Sequence, residues 1–296
     1  MVRGVPSLPI RDERVRRIAV AAAKGGGGLL GVGTALAGAG IGALVLQARQ
    51  ARREIGPRTT VPPYADGRYL PPGEGAARGT SLRFAVLGDS GAAGLGADDA
   101  STTPGGALAS DLAAASGRPV LLTNVAVVGA RSADLAAQVD RVLAVRPHVA
   151  VIMIGANDVT HSVRPQRSAR LLADAVRRLR EAGTEVVVGT CPDLGTVQPI
   201  GALLRRYARR TSRELAAAQS IVVRQEGGRP VPLGQLLGDL FDHAPEIYFS
   251  ADRFHPSALG YQACAEAMLP EVLRAVGLLS EEEDGDRPAL PASPTT

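Results

Sequence analysis

The chain has 296 residues, with 33 Lys and Arg against 29 Asp and Glu, 45% hydrophobic residues and two Cys. That length supports a core of one sizeable domain plus appendages, and the composition excludes wholesale disorder. Two cysteines exclude a disulfide scaffold and a Cys-rich zinc module. The formal net charge of +4 invites a nucleic-acid reading, which depends on where the charge lies.

It lies at the N-terminus. Residues 1–58 carry ten basic side chains against three acidic ones (Asp12, Glu13, Glu54), and the remainder carries 23 basic against 26 acidic groups. Residues 59–296 offer no basic footprint for a phosphate backbone, so no nucleic-acid partner is expected. Within the basic tail no charge occurs between Lys24 and Arg49, a gap long enough to cross a bilayer as a helix. Nine Gly dilute its apolar residues, and Gly38 and Gly42 form a G-x-x-x-G pair that would let two spans pack closely. The bland alternative is a flexible Gly-rich leader. The length and flanking cations favour a signal anchor at 25–48, and the small-x-small pattern of a cleavage site does not follow it. Six cations before the span and four after it place the N-terminus inside. The expected location is thus the cell membrane, with the larger part outside the cytoplasm, or secretion if the span is cleaved.

Residues 59–80 are rich in Pro and Gly and read as a linker. From 81 to 280, short apolar runs alternate with helical patterns. Leu82–Leu87, Val120–Val128, Val149–Ile154 and Glu185–Thr190 have the density expected of strands buried on both faces. Ser168–Ala182, Pro199–Ala218 and Ser257–Val276 read as amphipathic helices, the first stopped by Gly183. This alternation predicts a three-layer αβα domain around a parallel sheet. Residues 281–296 are acidic and Pro-rich and read as a disordered tail.

In such sheets ligands bind beyond the carboxyl ends of the strands. Gly88-Asp89-Ser90, Gly129-Ala130-Arg131 and Gly155-Ala156-Asn157-Asp158 follow three of the apolar runs, and Asp252-Arg253-Phe254-His255-Pro256 precedes the last helix. Singly, each has a structural explanation: Ser90 as a helix cap, Gly129 as a turn residue, Asn157-Asp158 as turn chemistry, His255 as a packing residue. Together they supply a nucleophilic hydrolase. Ser90 needs a base to take its proton, and His255 is suited to that role. Asp252, three residues earlier, can hold the other ring nitrogen. The backbone N–H groups of Ser90 and Gly129 and the Asn157 side-chain amide are available for an oxyanion, and Gly at 129 leaves room for the substrate oxygen.

These four ordered blocks resemble the SGNH (GDSL) hydrolase superfamily, and the closest likeness is to exported or membrane-anchored esterases of the actinobacterial type. The likeness runs roughly from Leu82 to Val276. It implies a flavodoxin-like, doubly wound sheet of about five parallel strands. It also implies Ser90 as nucleophile, His255 as base, Asp252 as its orienting acid, and Ser90, Gly129 and Asn157 as the oxyanion hole. Gly91 stands where the named block has Leu, which bears on substrate fit. The implied reaction is acyl-enzyme hydrolysis of short- to medium-chain acyl esters, small or lipid-like, with no metal or organic cofactor. The alternatives are an acyltransferase using the same triad and an inactive membrane-tethered binding module. Cys191 and Cys264 are a candidate disulfide pair if the domain faces an oxidising compartment, the other reading being two buried free thiols.

Overall fold

The computed structural model describes residues 46–47, 61–73, 79–198 and 200–280. The candidate anchor at 25–48 lies outside them except for Leu46 and Gln47, and the acidic tail at 281–296 lies outside them entirely. Among the described residues, no helix is long and apolar enough to cross a membrane.

In chain order the elements are β1 (Gly67–Tyr69), β2 (Leu82–Gly88), α1 (Ser90–Ala93), α2 (Pro104–Ser116) and β3 (Val120–Asn124). There follow α3 (Leu135–Leu143), β4 (Val149–Met153), α4 (Ala156–Thr160), α5 (Pro165–Glu181) and β5 (Glu185–Gly189). The last are α6 (Ala202–Gln225), β6 (Arg229–Val231), three short helices α7 (Leu233–Leu236), α8 (Gly238–His243) and α9 (Pro245–Tyr248), and α10 (Ala258–Ala275). The longer helices begin where local chemistry permits. Thr103 caps α2 by accepting from the Gly106 N–H at 3.0 Å, and Pro104 follows at the first turn. Pro165 opens α5, and Ser257 caps α10 through the Gly260 N–H.

The six strands form one sheet in the order β1-β3-β2-β4-β5-β6. Strands β2 to β6 are parallel, and β1 joins β3 antiparallel. The five parallel strands therefore run 2-1-3-4-5 in chain order, which is doubly wound, with its switch point between β2 and β4. Side-chain alternation sorts the strands into two cores. Phe84, Val86, Val149, Val151 and Val187 pack with Leu108 and Leu112 of α2 and Met268 and Val272 of α10. Ala85, Leu87, Ala150, Ile152, Val186 and Val188 pack with Leu135, Val139 and Val142 of α3 and Leu172, Val176 and Leu179 of α5. Both sheet faces are thus covered, as parallel strands require.

The edge strand β1 corrects the boundary of the linker read at 59–80. Gly67–Tyr69 pairs with β3, Ala65 is buried, and the Asp66 carboxylate accepts from the Asn124 N–H at 2.6 Å. Three residues are too few to show strand periodicity, and the surrounding Pro and Gly concealed them.

Candidate active site

The site stands at the switch point. Gly88, the last residue of β2, has φ +141°, and a Cβ there would lie 1.9 Å from the Met153 carbonyl oxygen. Only glycine permits the ends of β2 and β4 to approach this closely, and the Asp89 N–H then bonds that same carbonyl at 3.1 Å. Asp89 turns the chain: its side chain accepts from the Gly91 N–H at 2.9 Å, capping α1, whose first residue is Ser90. Ser90 is 4% exposed.

His255 reaches Ser90 from the segment before α10. Its Nε2 lies 2.9 Å from Ser90 Oγ, and its Nδ1 lies 2.5 Å from Asp252 Oδ2. The other Asp252 oxygen accepts from Ser250 Oγ and from the Phe254 and His255 N–H groups at 2.8–2.9 Å. Burial raises the Asp252 pKa, but the hydrogen bonds from the His255 ring and from the two backbone N–H groups outweigh it and bring it to about 2. The segment is braced by the Ser250 N–H donating to the His255 carbonyl at 2.8 Å and by the Phe254 ring set edge-on against the imidazole. The predicted Ser90, His255 and Asp252 therefore form one continuous hydrogen-bonded line.

The other two predicted residues follow the strands on either side of β2, Gly129 after β3 and Asn157 after β4. Gly129 has φ +88°, so the loop after β3 needs glycine there for its backbone. The loop is tied to β2 by the Val127 N–H, which donates to the Gly88 carbonyl at 3.1 Å. Asn157, at the start of α4, donates its side-chain amide to the Ala130 carbonyl at 3.0 Å. Asn157 is thereby held against the residue that follows Gly129.

Sequence reasoning missed the residues that support this frame. Gln138 of α3, 2% exposed, accepts from the Gly88 N–H at 2.7 Å and donates to the Gly88 carbonyl at 2.9 Å. Its detectable signal was a polar side chain on the buried stripe of Leu135, Val139 and Val142. Asp158, 1% exposed, accepts from the Ser132 N–H and hydroxyl and from the Ser168 hydroxyl. Tyr261, fully buried, donates its hydroxyl to the Leu95 carbonyl at 2.8 Å.

Ser90 and His255 open onto an apolar cavity of about 110 Å³, lined among others by Leu194, Val197, Leu233, Leu237, Phe241 and Phe249. Cys264 also lines it. The candidate Cys191–Cys264 bridge is not formed, and both residues are buried free thiols. Cys191 packs its sulfur against Gly155, whereas Cys264 sits on α10 at the cavity wall. Burial pushes the Cys264 thiol up to about 12 and the Cys191 thiol well above its ordinary range.

Residues 86–263 match the family described as GDSL-like Lipase/Acylhydrolase. A GDSL-like esterase of Mycobacterium tuberculosis is 44% identical over 260 residues, covering 86% of this chain and 82% of that protein. Among solved structures, TesA aligns with a TM-score of 0.54 at 24% identity, over 66% of this chain and 99% of that one. The psychrotrophic esterase EstA from Pseudoalteromonas aligns with a TM-score of 0.52 at 16% identity, over 66% and 99%. These two likenesses concern the fold. With the family match covering more than half the chain, the protein belongs to the GDSL-like lipase/acylhydrolase family of carboxylic ester hydrolases.

Proposed function

We propose that the protein is a serine esterase acting on short- to medium-chain acyl esters, with Ser90 as nucleophile, His255 as general base and Asp252 as its orienting carboxylate. The observation that carries this reading is the unbroken Asp252–His255–Ser90 hydrogen-bond line ending at a buried serine beside an apolar cavity. Ser90 Oγ attacks the ester carbonyl carbon as its proton passes to His255 Nε2, and Asp252 stabilises the imidazolium that forms. The carbonyl oxygen becomes an oxyanion, met by the Ser90 and Gly129 N–H groups and the Asn157 amide. The imidazolium then protonates the leaving alcohol as the C–O bond breaks, and a water activated by His255 releases the acid.

The cavity supports the acyl length. It is apolar, and it is small beside the roughly 300–1,000 Å³ of a pocket for a drug-sized ligand. A panel of 4-nitrophenyl esters graded from acetyl to palmitoyl tests this. The optimum should fall between short and medium chains, and Val197→Phe should move it shorter; a palmitoyl optimum would contradict the reading. The uncharged segment at 25–48 supports a membrane anchor, with the catalytic part outside the cytoplasm.

A further inference from the structure

Leu46 and Gln47 close the uncharged apolar segment, and Gln47 is seated on the domain. Its side-chain oxygen accepts from the Leu204 N–H at 2.9 Å, and it packs against Gly201. Both partners belong to the start of α6. This juxtaposition has a geometric consequence if the segment is an anchor. Gln47, the last residue but one of the 25–48 segment, then lies within about 10 Å of the bilayer boundary, since each residue extends the chain by at most ~3.5 Å. The first turns of α6, bonded to Gln47, then lie there too.

The side chains that α6 presents are suited to that position. Leu203 and Tyr207 are 42% and 44% exposed, although both are large and hydrophobic. Arg206 and Arg210 are exposed between and beside them. An exposed helix face that mixes a Leu and a Tyr with arginines has the composition of one that meets lipid headgroups, and arginine favours anionic ones. The middle of the same helix supports the catalytic cavity. The Leu194 N–H donates to Ser212 Oγ at 3.3 Å and Arg213 Nε donates to the Asp193 carboxylate at 3.0 Å, while Leu194 lines the cavity with Ser90.

We propose that the face of α6 formed by Leu203, Arg206, Tyr207 and Arg210 docks on an anionic lipid surface, setting the wall of the acyl cavity beside the membrane. This rests on the anchor reading of residues 25–48. On it, ester substrates that partition into the bilayer reach Ser90 over a short path.

The test uses the full chain carrying Arg206→Cys, labelled with an environment-sensitive fluorophore; the two native cysteines are buried and spare the label. A second chain is labelled at Glu181→Cys, an exposed position at the C-terminal end of α5 just before β5 begins, whereas α6 starts only after β5 has ended. Both are incorporated into vesicles of phosphatidylcholine with or without phosphatidylglycerol, and retention is checked by alkaline carbonate extraction. The expected result is retention, with a blue shift at position 206 that is larger on the anionic vesicles and no shift at 181. Retention without a shift at 206 overturns the docking face and leaves the anchor standing. Extraction by carbonate with a shift at 206 overturns the anchor but upholds the face. Extraction without a shift overturns both. An equal shift on both vesicles overturns the preference for anionic lipid.

Discussion

The Asn157 side-chain amide is hydrogen-bonded to the Ala130 carbonyl at 3.0 Å, joining the start of the helix after β4 to the loop after β3. The bond spans the strand that leads to Ser90, because β2 lies between β3 and β4. Asn157 thus both offers a donor and holds the loop that supplies Gly129. Asn157→Ala should lower kcat by about 10²–10³, the usual loss for one oxyanion donor, with KM for a water-soluble ester little changed. A variant that keeps its kcat would remove Asn157 from the oxyanion hole.

Gln138 holds both polar groups of the Gly88 backbone and is absent from the apolar cavity lining. It is a positioning residue for the turn that carries Ser90. Gln138→Leu strands a buried N–H, at a cost of about 1–3 kcal/mol, and lets Gly88 shift. A shift near 1 Å is enough for losses approaching 10²-fold. We expect kcat to fall at unchanged KM, with partial rescue by Gln138→Glu, which can still accept from the Gly88 N–H. A lowered Tm with full kcat per folded molecule would make the residue structural only.

The folded-state pKa of Asp252, about 2, lies below the roughly 3.9 of an unfolded aspartate. A group depressed on folding contributes stability above the unfolded value and loses it as pH falls through the folded one. The Tm of the wild type should therefore drop between about pH 4 and pH 2 by more than that of Asp252→Asn. Parallel melting profiles across that interval would mean that Asp252 makes no such contribution.

Most of the fold was legible because strands buried on both faces are short, dense and apolar, and because Gly and Pro punctuate them. The blocks at Ser90, Gly129 and Asn157 were legible because they follow parallel strands, and the His255 block because Asp252 and His255 stand close together before the last helix. Spacing alone discriminates less well. Asp158 and His161 share the three-residue offset of Asp252 and His255, yet Asp158 faces Ser132 and Ser168, while the His161 ring bonds the Asn157 carbonyl. The strands β1 and β6 escaped because each has three residues, and β6 contains Pro230, tolerated at a sheet edge. Gln138 escaped because its partner is a backbone fifty positions away.

The most direct measurement is active-site labelling. Wild-type protein is treated with an alkyl phosphonate carrying a leaving group, digested and analysed by mass spectrometry, beside Ser90→Ala. One phosphonyl adduct should appear on the peptide containing Ser90, with parallel loss of ester hydrolysis, and Ser90→Ala should show neither adduct nor hydrolysis. An adduct on another residue, or full hydrolysis by Ser90→Ala, would show that the nucleophile is not Ser90.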